Sequence, residues 1–217
     1  MAPERVFPSA IVELYMSIQV ALVVITGLSF VSLGIIVAFT LSMRLREALP
    51  FYDPVADWVG HGIPDVGMVY MAAVMAGLIS PIVPFSWCVT FFAASAGVFL
   101  VRIATNTCFV WWQDILHFVG VIFKAYMFVS VVYWQEFVTA HAIVYFVGVI
   151  FLYVHRTYAS MQDASGITFG RLLFNAEHIS MSIAAILMFA MMQWPTSFPL
   201  AGTLMCQDPA ITRSHKH

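Results

Sequence analysis

Apolar residues run in long blocks along this chain, and charged residues fall in short clusters between the blocks. No Asp, Glu, Lys or Arg lies between Glu13 and Arg44, between Asp65 and Arg102, between Glu136 and Arg156, or between Glu177 and Asp208. A helix needs about 20 predominantly apolar residues to cross roughly 30 Å of hydrocarbon, so each gap has room for at least one span. The first block, residues 11–41, is longer than a perpendicular crossing needs and predicts a tilted or projecting helix. Arg44, Arg46 and Glu47 then mark a water interface. Residues 48–66 mix three prolines, three aspartates and aromatic residues, which predicts a short interfacial segment with Tyr52 and Trp58 at headgroup level.

The second block, residues 67–100, is broken by Ser80-Pro81 and Val83-Pro84. Proline disfavours helix at the preceding residue, so the block divides near 80–84. A third helix is expected to begin near Trp87 and to continue through Arg102 to about Tyr133. A fourth covers 136–155, a polar connection 156–170 follows, and a last apolar stretch of about 179–194 ends at Pro195. Strict alternation of apolar and polar positions, the mark of a membrane barrel, is absent. The fold class expected is all-α: a polytopic membrane protein with about 5–6 embedded helices in one integral domain, residues 1–217.

Composition sharpens this. Hydrophobic residues make up 62% of the chain and charged ones 9%, too little charge for the shell of a soluble domain this long. A net charge of −2 points to no nucleic acid. Cys88, Cys108 and Cys206 lack metal-type spacing and read as buried thiols. Residues 1–10 hold one Arg and one Glu, unlike an arginine-rich transit peptide, and the first apolar run exceeds a signal-peptide core. A retained N-terminus is therefore expected.

Candidate chemistry lies in 100–133. At about 100° per residue, Arg102, Asn106, Gln113, His117 and Lys124 fall at about 0°, 40°, 20°, 60° and 40° on one continuous helix, with Asp114 near 120°. Such a stripe is either packed against neighbouring polar groups or lines an ion path. Arg102 is the unusual member, because a guanidinium cannot shed its proton to escape the cost of burial. Lys124 is expected to snorkel or to pair near a helix end.

The string Leu100-Val101-Arg102-Ile103-Ala104-Thr105-Asn106 resembles the signature helix of subunit a of F-type ATP synthases, in which asparagine follows an essential arginine by four residues. The next helix opens with Glu136, has Tyr145 nine residues later and closes with Tyr153-Val154-His155, similar to the last helix of mitochondrial forms. The likeness covers about 85–155. Ile143 stands where that family usually has glutamine, and residues 156–217 extend past its usual end, the pattern of a divergent mitochondrial type with a lineage-specific C-terminal extension. Gly170-Arg171-Leu172-Leu173-Phe174-Asn175 carries a second arginine–asparagine string. Only one apolar stretch follows it, so Arg102 is the preferred match.

The resemblance implies a stator subunit that forms two proton half-channels against a ring of c subunits. Arg102 would face each ring carboxylate. Asn106, Gln113, Asp114, His117, Glu136 and His141 would carry or orient protons. Implied partners are the c ring, other membrane and peripheral-stalk subunits, and lipid, in the mitochondrial inner membrane. No cofactor and no metal are expected, since no phosphate loop, metal-site motif or nucleophile elbow is present. Two other readings stay open. His141 and His155, thirteen residues apart between them, have the spacing of paired haem ligands in a b-type membrane anchor. A purely structural membrane subunit is the second.

Overall fold

The computed structural model describes residues 9–47, 49, 52–80, 82–105, 111–130, 135–162 and 167–192, and all regular structure among them is helical. The helices are α1 (Ser9–Leu41), α2 (Met43–Glu47), α3 (Pro54–Asp57), a π-helical turn (Trp58–Gly62), α4 (Ile63–Met75), α5 (Phe85–Thr105), α6 (Trp111–Ser130), α7 (Glu136–Gln162) and α8 (Phe169–Met192). Four helices are long and apolar enough to cross a membrane: 17–41, 86–105, 136–162 and 169–191. Their outward faces carry Val23, Leu41, Trp87, Phe91, Val144 and Phe151, all well exposed, as lipid contact requires. The chain is an all-α, multi-pass membrane protein.

Two antiparallel hairpins build the bundle. In the first, Arg102 near the end of α5 meets Asp114 near the start of α6, and Phe92 lies 5.1 Å from Phe128 at the other end. This corrects the expectation of one helix running from 87 to 133. Among the described polar residues of that stretch, Arg102 sits on α5 and Gln113, Asp114, His117 and Lys124 on the facing α6, and Arg102 meets Asp114 across the hairpin. The Thr105 hydroxyl bonds back to the Val101 carbonyl at 2.9 Å. Side-chain bonding of this kind competes with the helical ladder where Thr105, Asn106 and Thr107 follow one another.

In the second hairpin, Asn175 of α8 donates to Thr157 of α7 at 2.9 Å, and Tyr153 packs on His178. Helix α8 begins at Phe169, ten residues before the stretch expected from hydropathy, and α7 runs on to Gln162. On its other side α8 packs along α1, where Phe39 meets Phe174 and Ser32 meets Glu177. The C-terminal segment therefore lies inside the bundle as far as Met192.

The segment read as interfacial is also part of the interior. Asp53 caps α3, its carboxylate accepting the Val55 amide at 2.9 Å, with Pro54 at the first helical position, a favoured start. The chain then winds without interruption to Met75, with Asp57, His61 and Asp65 buried. Trp58 donates to the Thr40 hydroxyl and Tyr52 to the Asp57 carboxylate, so both clasp the bundle. The physical reason for the error is that charge marks an interface only when it is unpaired. Here the charges find partners inside. Helix α4 ends in a Schellman cap, with Gly77 at φ 71° and bonds from Leu78 to Ala73 and from Gly77 to Val74.

Candidate functional site: a buried histidine and carboxylate core

Polar groups enter the bundle from one end. The entrance is a cavity of about 500 Å³ lined by Arg102, Arg156, Arg171, Asp53, Asp114 and His117, among others. At roughly 30 Å³ per molecule, it has room for on the order of ten waters. The guanidinium of Arg102 donates through Nη1 to Asp53 at 2.7 Å, and its Nε and Nη2 lie 3.2 and 3.1 Å from Oδ1 of Asp114. Burial raises the pKa of Asp53, but the Arg102 hydrogen bond and the backbone amides of α3 more than offset it, leaving the group below its usual range. Arg156 stacks 4.4 Å above the Trp112 ring, a cation–π contact.

Inward of this cavity the core tightens around three imidazoles. His61, His117 and His178 have ring centroids 4.7, 4.4 and 5.9 Å apart for the 61–117, 61–178 and 117–178 pairs. His61 Nε2 lies 2.8 Å from His117 Nδ1. Glu177 holds the other side: its carboxylate is 3.1 Å from His61 Nδ1, 2.5 Å from His178 Nδ1 and 2.8 Å from the Ser32 hydroxyl. Ser32 also donates to Asp65, and Lys124, 1% exposed, sits 4.0 Å from Asp65 and donates to the Gly60 carbonyl at 3.3 Å. Lys124 is thus buried in the core, against the expectation that it snorkels or pairs near a helix end.

Local sequence makes this approach possible. The π turn inserts an extra residue where Gly60 and His61 face α6, a distortion often found at functional sites. A Cβ on Gly60 would lie 2.6 Å from His117 Nδ1 and 3.1 Å from Phe99, so glycine leaves the room in which the His117 ring sits. Phe99 stacks on the His117 ring at 5.3 Å.

Of the residues singled out from sequence, Arg102, Gln113, Asp114 and His117 gather at the cavity. Asn106 lies outside the described residues. Glu136 and His141 are exposed on α7, away from the core, and His141 bonds only its own helix at the Phe137 carbonyl among the described contacts. His155, also exposed, borders the cavity. Cys88 is a free, partly buried thiol, while Cys108 and Cys206 lie outside the described residues. Sequence reasoning missed Asp57, His61, Asp65, Glu177 and His178. One signal was available: Asp57, His61 and Asp65 recur every four residues, the period of one helix face.

These features define a multi-pass helical membrane protein with an ionisable core reached from one side. Comparison with family models, curated proteins and solved structures gives no match.

Proposed function

We propose that this chain moves protons through the membrane, and that it does so as the stator subunit a of a rotary ATP synthase, in the mitochondrial inner membrane. The observation that carries the proposal is the one-sided file of proton-accepting groups. It leads from the Arg102 cavity through His117, His61 and Glu177 to Asp65 and Lys124. Ionisable groups within a membrane are costly, and a contiguous series of them is how proton paths are built. Among the described residues the file opens at the Arg102 cavity and runs inward to Lys124, which is the form of a half-channel.

In this reading Arg102 keeps a fixed positive charge at the mouth. An adjacent cation lowers a carboxylate's pKa, commonly by about one to three units, so a ring carboxylate arriving there releases its proton. Asp53, the more exposed of the two Arg102 partners, is the one exchanged for that carboxylate. Asp114 stays in place and holds the guanidinium. Glu136 and His141, outside the core, serve the contact with partner subunits. The chain's sequence likeness at Arg102 and at Glu136–His155 supports the narrower assignment to subunit a.

The test is to isolate the native complex in mild detergent, identify its partners by mass spectrometry and record its visible spectrum. Co-purified c subunits and a soluble catalytic head are expected. A haem band with quinone-enzyme partners would contradict the proposal and turn attention to His141 and His155.

A further inference from the structure

We propose that His61, His117 and His178 form a binding site for one divalent transition-metal cation of the zinc class, with Glu177 as the carboxylate that orients two of the rings. The inference goes beyond proton transfer: a metal here would occupy His61 Nε2 and His117 Nδ1, the pair that links the proton file, so a bound ion is expected to block that path rather than serve it.

Geometry is the first argument. One ring nitrogen of each histidine lies within 4.8 Å of those of the other two. Bonds of about 2.0–2.1 Å from tetrahedral zinc to imidazole place ligand nitrogens roughly 3.3 Å apart. The rings therefore need to shift by an ångström or two and no backbone rearrangement. Three imidazoles suit zinc and its neighbours in the first transition row, whereas calcium and magnesium take oxygen ligands.

Hydrogen bonding is the second. His178 Nδ1 is engaged by the Phe174 carbonyl at 3.0 Å and by Glu177 at 2.5 Å. That leaves Nε2, which is buried and has no hydrogen-bond partner. An imidazole whose Nδ1 is tied to a carbonyl or carboxylate presents Nε2 to a metal, the usual outer-shell arrangement of zinc-bound histidine. Glu177 also lies 3.1 Å from His61 Nδ1, an ion-pair contact, and His61 Nε2 faces His117 Nδ1 at 2.8 Å. A buried polar nitrogen without a partner is costly, and a metal bond removes that cost.

Charge is the third. Asp57, Asp65, Asp114 and Glu177 bring four carboxyl groups into the interior, against Arg102, which pairs with Asp114, and the ammonium of Lys124. Two further positive charges neutralise the formal balance. A divalent cation supplies both at once, and His117, which borders the entrance cavity as well as the inner pocket, marks its way in.

The experiment loads the purified full chain with Zn²⁺ or Co²⁺, removes free metal by gel filtration, and measures metal content and the visible Co²⁺ spectrum. The wild type is expected to retain about one metal per chain, with the intense bands of a tetrahedral cobalt site. His117→Ala and His178→Ala should abolish both signals. His141→Ala, on the exposed face of α7, should leave them unchanged. Glu177→Gln should weaken binding roughly 10- to 100-fold, as loss of an outer-shell partner does. The wild-type measurement needs no variant to fold. Failure of the wild type to hold Zn²⁺ or Co²⁺ would overturn the proposal, as would equal retention in a folded His61, His117 and His178 triple-alanine variant. Proton flux measured without added metal is a separate readout, so failure of the metal site and failure of the proton path are distinguishable.

Discussion

At one end of the bundle Arg102, Asp114, His117, Glu177 and Asp65 answer one another's charges. At the other, Met68, Met71, Phe92, Phe128, Met188 and Phe189 fill the space between the same helices, and the buried polar groups on those helices there, such as Ser130, are uncharged hydroxyls. Every long helix passes from one environment to the other. Helix α6 has Asp114 and Lys124 followed by Met127 and Phe128, while α8 has Glu177 and His178 followed by Ala184, Met188 and Phe189. The apolar end gains stability from packing that tolerates substitution of similar volume. The polar end is stable only as a set, because each charge is compensated by a particular neighbour. Evolution tolerates the second arrangement where chemistry requires it, which is why the polar end is assigned the function.

Removing one member of the set tests the contrast most severely. Lys124→Met should destabilise the protein by about 3–5 kcal/mol, because Asp65 is left buried without its cation. The double variant Lys124→Met with Asp65→Leu should recover most of that loss, as thermal unfolding in detergent would register. A double variant no better than the single would mean that the two groups are not coupled. Gly60→Ala comes next. Its methyl group meets His117, and overpacking of this kind costs about 1–3 kcal/mol. Retention of wild-type stability in the same unfolding assay would show that the close approach of Gly60 and His117 is unimportant.

At the apolar end, Met188→Leu should cost under about 1.5 kcal/mol, measured the same way; a loss equal to that at Lys124 would erase the distinction between the ends. The smallest effect concerns acid. The Asp53 pKa is lower in the folded protein than in the unfolded chain, so its contact with Arg102 contributes fully above the ordinary carboxylate range, near pH 4. That contribution fades as pH falls through the depressed folded value. Asp53→Asn should lower stability at neutral pH by that contribution, leave stability below the depressed folded value nearly unchanged, and so flatten this part of the stability–pH profile.

The apolar architecture was legible in the sequence because lipid-facing helices need long uncharged runs, and 11–41 and 136–155 map closely onto α1 and α7. Pro81 and Pro84 correctly divided α4 from α5. The polar end was legible only in part. Arg102, Asp114 and His117 stood out inside an apolar run, whereas Asp57, His61 and Asp65 sat among prolines and glycines that read as surface. Their partners, Ser32, Lys124 and Glu177, are distant in sequence, and pairing across helices leaves no local trace. Glu177 and His178 were hidden for the same reason, next to a stretch polar enough to pass for a connection.

The most direct test of the proton-transfer account is ATP-driven acidification of membrane vesicles by the intact complex carrying Arg102→Ala in this chain, beside wild type. The account predicts a complex that assembles with its c ring and hydrolyses ATP but pumps no protons. Acidification at the wild-type rate would contradict it.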